Sequence, residues 1–216
     1  MSAHQNSRAA IEIIREITFS IEKNIDYLTQ LDQAIGDGDH GINLANGLRA
    51  VREKLNEVEA NDLAGLLKRV GMMIVSNVGG TAGPLYGMAF MKAGEPVAGK
   101  TSVDVNDLAN MFEAAEQGII GIGKGSVGEK TMLDAIHPAV LAVKEAARQN
   151  RSLIEALEAG SKAAEEGMKS TINMVAKRGR ASYLGERSRG HQDVGATSVH
   201  IMLESALATM KRLESA

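Results

Sequence analysis

Apolar residues return at helical spacing along almost the whole chain, and this periodicity limits the fold more than any single motif. Ile14, Ile17, Ile21, Ile25 and Leu28 would line one helix face, Leu44, Leu48, Val51 and Leu55 a second, and Leu63, Leu66, Val70 and Ile74 a third. The pattern continues over about 84–93, 106–122, 130–149, 152–178 and 196–213, with Ser152 and Glu155 spaced as a capping box. Period-two alternation of β-branched residues is sustained nowhere. The chain reads as all-α, about eight helices in one domain spanning residues 1–216. Aromatics are 3% of the residues, so Met, Leu, Ile and Ala must fill the core, and small side chains let helices approach closely.

The breaks between helices fall at "IGDGDHG", "SNVGGTAGPLYG", "GIGKGSVGEKT" and "KRGRASYLGERSRGHQDVGAT" and carry most of the glycine. A plain helix connection needs one or two glycines. Long, polar, glycine-dense connections point to backbone approaching a ligand.

Composition removes several chemistries. Cysteine is absent, which excludes disulfides, thiolate nucleophiles and cysteine-held zinc or iron-sulfur clusters, so any metal must sit on oxygen or imidazole. A net charge of -3 gives no basic signature, so neither nucleic acid nor a membrane surface is expected as a partner. The N-terminal "MSAHQNSRAAIEIIREITFS" has no uninterrupted apolar core of the signal-peptide kind, and no stretch approaches the ~18 apolar residues of a membrane span. A cytoplasmic protein is expected.

The first glycine-dense break holds the strongest chemical signal. Asp32, Asp37 and Asp39 crowd around Gly36 and Gly38, and no Lys or Arg lies between Lys23 and Arg49. A tight turn that aims all three carboxylates at one point sets up repulsions of about 1 kcal/mol per pair in water, and about 4 at an effective dielectric of 20, at ~4 Å. The cluster must splay, protonate or hold a metal. Hard oxygen ligands suit Mg2+ or Ca2+. The calcium-hand pattern fails, because counting from Asp37 its sixth position is Ile42 and its twelfth Leu48. Mg2+ with phosphate oxygens and water fits better, while a solvated Asp-Gly turn capping the next helix remains the alternative. His40 is either a turn residue or a donor to phosphate.

Three nucleotide patterns are accidents of glycine content. Gly94–Thr101, "GEPVAGKT", satisfies the P-loop spacing but follows a helical stretch, not a strand. The dinucleotide pattern at Gly36, Gly38, Gly41 and at Gly123, Gly125, Gly128 likewise lacks a preceding strand. "SNVGGTAGPLYG" is more informative, because its glycines and Thr81 expose backbone N–H groups ahead of Pro84 in the next helix's first turn, an anion cradle or a close-packed turn. Lys177, Arg178, Arg180, Arg187 and Arg189 form the one basic concentration, a solvated face or, given the interspersed glycines, Tyr183 and His191, an ordered lid. His137, His200 and His4 read as core, helix-surface and tail residues.

Together, "LDQAIGDGDHGIN", "VGGTAGPLYG", "GEKTM" and "KRGRASYLGERSRGHQDVGATS" resemble the nucleotide-binding subunit of bacterial dihydroxyacetone kinases, the L-subunit type, over nearly the whole chain. The resemblance implies an antiparallel barrel of eight helices with nucleotide and Mg2+ at one end. It implies Asp32, Asp37 and Asp39 as Mg2+ ligands, and His40, Gly41, Ile42 and Asn43 running along the phosphates of ADP or ATP. Thr81 and Ala82 match the phosphate-side turn, Gly123 and Met132 fall at nucleotide contacts, and Arg180 with Asp193, Val194 and Gly195 completes the site around base and sugar.

Phosphoryl transfer needs positioning and charge neutralisation more than a protein nucleophile, and no catalytic nucleophile stands out here. By the same resemblance the substrate, dihydroxyacetone, is held on a histidine of a separate K-type subunit, and a phosphocarrier subunit of a phosphoenolpyruvate-dependent system recharges the bound ADP. The length of the chain favours that system over ATP-dependent enzymes with fused domains. The rivals are a kinase subunit for another short ketose such as erythrulose, and a non-enzymatic nucleotide-sensing partner of a transcription regulator.

Overall fold

The computed structural model describes residues 3–55 and 62–215, with side chains from Ser7 onward. Nine α-helices and no strand occur among the described residues: α1 (Ala3–Lys23), α2 (Ile25–Ile35), α3 (His40–Lys54), α4 (Leu63–Asn77), α5 (Ala82–Gly94), α6 (Val105–Gly123), α7 (Leu133–Arg148), α8 (Leu153–Ser170) and α9 (Val194–Glu214). Asn24 accounts for the difference from about eight. It interrupts the first rod, its side-chain amide donating to the Ser20 carbonyl at 2.8 Å, so that α1 and α2 together do the work of one helix.

Each helix packs against its neighbours in sequence, and α9 returns against α1 to close the ring. In such an up-and-down arrangement every second connection lies at the same end. The four glycine-dense breaks are those alternate connections, which is why segments far apart in sequence meet in space. At the opposite end the helices start on ordinary caps: Asp62 on α4, the Asp104–Asp107 box on α6 and the expected Ser152–Glu155 box on α8. The sequence periodicity is the core: Ile14, Ile21, Leu28, Leu44, Leu48, Val51, Leu66, Val70 and Ile74 are all buried. Inside the ring they leave an apolar cavity of about 310 Å3 bordered by α1, α5, α6 and α9. Glycine sets the spacing of α4 on α5, because a Cβ on Gly71 would stand 2.5 Å from the Gly87 carbonyl oxygen. No described helix is long and apolar enough to cross a membrane.

Three expectations are corrected. The helix expected over 152–178 stops at Ser170 and tightens into a 3-10 turn, Thr171–Asn173. The Lys130 ammonium occupies the turn: it donates to the carbonyls of Thr171 (2.7 Å) and Met174 (3.2 Å), taking those two oxygens from helical partners, and also to the carbonyl of His191. His137 is not core; its Nδ1 pairs with buried Glu116 at 2.6 Å while its ring stays partly exposed. His200 is largely covered rather than on the surface, and the side chain of His4 lies outside the described ones. Around Gly94–Thr101 the chain closes α5, forms the 3-10 turn Glu95–Val97 and begins α6 only at Val105, so the P-loop pattern has neither strand nor helix where it needs them.

Candidate functional site

Asp32 lies in the last turn of α2 and is 8% exposed, whereas Asp37 and Asp39 are exposed in the bend before α3. Two glycines make the bend possible. Gly38 takes φ +77, and a Cβ on Gly36 would fall 2.2 Å from Asp32 Oδ1, in the space the carboxylate occupies. The His40 backbone N–H donates to Asp32 Oδ2 at 3.1 Å. One oxygen from each of the three carboxylates lies within 4.8 Å of the other two, so they converge and do not splay. The cation missing from the local sequence comes from far along the chain: Arg180 Nη2 is 2.8 Å from Asp37 Oδ2. One guanidinium against three carboxylates still leaves negative charge unmatched. Octahedral Mg2+ with bonds of about 2.0–2.1 Å would set its ligand oxygens roughly 3–4 Å apart. The donor set fits, since Asp37 and Asp39 are exposed, and closing by that small amount requires only that Asp37 adjust its contact with Arg180.

The surroundings have the opposite polarity. The cleft beside the carboxylates, about 470 Å3, is lined by His40, Ala82, Leu133 and Val194, the first residues of α3, α5, α7 and α9. Four helix N-termini therefore face one space. Each turns the positive end of its dipole toward it, an arrangement that favours anions, although Leu133 of α7 already donates to Thr131 Oγ1 and Ala196 of α9 to Asp193. Gly80, at φ +67, turns the chain into α5 in the same wall. Carboxylates beside four helix N-termini are a poor site for either a bare cation or a bare anion and a good one for a cation bound to a polyanion.

The far wall is built around buried charge. Lys130, 1% exposed and at φ +61, ties together the three carbonyls already named. Asp134, also buried, accepts from the N–H groups of Gly128 (2.5 Å) and Thr131 (2.8 Å) and so shapes the loop ahead of α7. Asp193 caps α9, accepting from the Ala196 N–H at 2.7 Å, while its own N–H donates to Thr171 Oγ1 at 3.0 Å. Burial pushes the Asp193 carboxyl up to about 7, with Asp134 adding to the rise. Burial also lowers His40 and Lys130; for His40 it outweighs the nearby carboxylates of Asp32 and Asp39. The basic run forms the rim as the 3-10 segment Arg180–Ser188, kinked at Gly185, with Arg178 on Glu129 at 2.7 Å and Tyr183 88% exposed at its crest.

Residues 34–208 match the model of the DAK2 domain. The chain belongs to the DAK2 domain family. Among relatives, it is 46% identical over 186 residues to the ADP-binding subunit DhaL of the PEP-dependent dihydroxyacetone kinase of Escherichia coli K12, covering 86% of this chain and 88% of that one. It is 43% identical over 202 residues to the corresponding subunit of kinase 2 of Listeria innocua, covering 93% of each. Among solved structures, the dihydroxyacetone kinase of C. freundii in its native form superposes with a TM-score of 0.72 at 24% identity, over 92% of this chain and 34% of that one. The same kinase in complex with AMP-PNP and Mg2+ gives a TM-score of 0.68. At that identity the likeness shows the fold, and the DAK2 domain spans about a third of the solved kinase.

Of the site residues expected for this DAK2 domain, Asp32, Asp37, Asp39, His40, Thr81, Ala82, Gly123, Met132, Arg180, Asp193, Val194 and Gly195 all line the one cleft. Gly41, Ile42 and Asn43 do not. Gly41 is buried against α2, where a Cβ would lie 2.8 Å from the Ile25 carbonyl oxygen, and Ile42 is 46% exposed away from the core. Gly41 and Ile42, in the first turn of α3, have their backbone N–H groups to offer an anion; the Asn43 N–H bonds the Asp39 carbonyl at 2.9 Å, while its side-chain amide stands beside Gly79 in the turn before α5, where a Cβ would lie 3.2 Å from it. Sequence reasoning missed Lys130, Asp134, Tyr86 and Ser198. A lysine between Glu129 and Thr131 in a polar loop reads as solvated, and no local pattern marks it as a buried clamp.

Proposed function

We propose that this chain is the nucleotide-carrying phosphotransferase subunit of a dihydroxyacetone kinase, holding Mg-ADP or Mg-ATP and passing the phosphoryl group to dihydroxyacetone on a separate K-type subunit. One observation carries this reading: three converging carboxylates share a cleft with four helix N-termini. The named relatives, PEP-dependent kinase subunits of nearly the same length, support it. They also favour recharging of bound ADP by a phosphocarrier subunit, in a cytoplasmic setting. A relative named L-erythrulose kinase, 31% identical, keeps a second short ketose open as the acceptor, a choice that rests with the partner.

Residue roles follow from position. Asp32, Asp37 and Asp39 hold Mg2+, which when bound offsets charge on the phosphate oxygens. His40, with the first N–H groups of α3, and Thr81 with Ala82 at the start of α5 orient the phosphates. Gly123 and Met132 flank the base and sugar together with Asp193, Val194 and Gly195. Arg180, already within 2.8 Å of Asp37, stands at the mouth where the phosphoryl group would leave, suited to bind its developing charge. We read residues 1–216 as a single nucleotide-binding domain, with the acceptor held by the K-type partner.

Calorimetry with ADP, in Mg2+ and then in EDTA, tests the first half: Mg2+-dependent binding is expected, and no binding in either condition would end the proposal. Adding a K-type partner, dihydroxyacetone and either ATP or a phosphoenolpyruvate-charged phosphocarrier tests the second half, with dihydroxyacetone phosphate as the expected product.

A further inference from the structure

We propose that Ser198 and Tyr86 are positioning residues that hold the His40 imidazole by Nε2 and set which ring nitrogen carries its proton, so that Nδ1 meets a polyphosphate as a donor; this rests on the nucleotide reading above. His40 is the first residue of α3, Tyr86 lies on α5 and Ser198 in the first turns of α9, so the relay joins three of the helices whose N-termini face the cleft. Ser198 Oγ is 3.0 Å from His40 Nε2, 2.7 Å from the Tyr86 hydroxyl and 3.0 Å from the Gly195 carbonyl oxygen. Ser198 is fully buried and Tyr86 nearly so, which leaves the serine no solvent partner.

With a neutral ring and Tyr86 donating to Ser198, a count of protons leaves the relay two states. Ser198 has one proton to give and two lone pairs to fill. Burial pushes ionisation of the Tyr86 hydroxyl far up, so it keeps its proton; its oxygen lies 2.7 Å from Ser198 Oγ and 3.4 Å from the Gly195 carbonyl, and we assign the proton to the shorter contact. The Ser198 proton then has two acceptors. If it goes to the Gly195 carbonyl, His40, which lines the cleft, must bring its own proton on Nε2, and Nδ1 is left as a lone pair. If the hydroxyl turns to His40 Nε2, the imidazole proton must sit on Nδ1. The first state makes three hydrogen bonds and belongs to the empty cleft. Phosphate oxygens only accept, so a bound polyphosphate selects the second. The change breaks the Nε2–H bond and forms Nδ1–H by exchange with cleft water, with no net change in charge. One hydroxyl rotation thus converts the ring from acceptor to donor.

The test is 15N NMR of the histidine ring nitrogens at fixed pH, with the His40 signals assigned by His40→Asn. In the wild type, Nε2–H is expected without nucleotide and Nδ1–H with Mg-ADP. Ser198→Ala should abolish that exchange of tautomers and raise the Kd for Mg-ADP about tenfold, or roughly 1.4 kcal/mol. Ser198→Thr should restore both, and Tyr86→Phe should shift both part-way in the alanine direction. Identical His40 ring signals in wild type, Ser198→Ala and Tyr86→Phe would overturn the proposal. If Ser198→Ala does not fold, Tyr86→Phe carries the same comparison. Should the wild type not bind Mg-ADP, the nucleotide reading falls, yet the nucleotide-free spectra still decide: unchanged ring nitrogens in Ser198→Ala refute the relay by themselves.

Discussion

Asp39→Asn should move stability in opposite directions with and without ligand. Without metal, Asp39 repels two carboxylates whose oxygens lie within 4.8 Å, and each repulsion at that distance amounts to about 0.9 kcal/mol in a water-like dielectric, the appropriate regime for an exposed side chain. Asp39 precedes α3 but makes no side-chain cap bond, so the substitution sacrifices its attraction to the helix dipole, about 0.5 kcal/mol, and a smaller solvent-screened attraction to Arg180. The net expectation is a gain of roughly 1 kcal/mol and a melting midpoint about 2–4 °C higher in EDTA at low ionic strength. With Mg-ADP at ~100 times its Kd, the wild type should gain about 2.7 kcal/mol by mass action. The variant, short of one metal ligand, should gain less than half of that. Differential scanning fluorimetry in EDTA and in Mg-ADP measures both arms on one sample. A lower midpoint in EDTA, or an undiminished response to Mg-ADP, would refute the idea that these aspartates are strained together for a cation.

The far wall and the helix spacing give three further expectations. Asp193 holds its proton up to about pH 7 when folded but releases it near 3.8 when unfolded, so between those values the folded state binds more protons and stability must fall as pH rises. That slope is at most about 1.4 kcal/mol per pH unit, and Asp193→Asn, which keeps a capping oxygen, should flatten it in urea melts run at pH 5 to 8. Lys130→Met should strand the carbonyls of Thr171, Met174 and His191, cost about 2–4 kcal/mol and open the 171–191 segment to limited proteolysis; unchanged protease resistance would count against the clamp. Gly167→Ala places a methyl 2.1 Å from the Asp134 carbonyl oxygen, and forcing α8 off α7 should cost about 1–3 kcal/mol in denaturant titrations, with weaker nucleotide binding because Asp134 shapes the cleft loop.

What the sequence determined by itself was everything governed by short range. Apolar spacing marked the helices, because a face buried every three or four residues is a local property, and the box at Ser152 shows the same logic at a helix start. The glycine-dense connections and the Asp32–Asp37–Asp39 group were likewise legible, since crowded like charge around glycine demands an explanation within a few residues. Tertiary structure alone decided which of those connections meet. Alternate loops of an up-and-down ring gather at one end, and that closure brought Arg180 to Asp37, Lys130 to three carbonyls up to 61 residues away, and Ser198 to His40 across 158. The helix break after Ser170 belongs to the same class: no glycine or proline signals it, because its cause is a buried ammonium from another segment. Periodicity records what each residue does to its neighbours, whereas a site assembled from loop ends depends on where the ring closes.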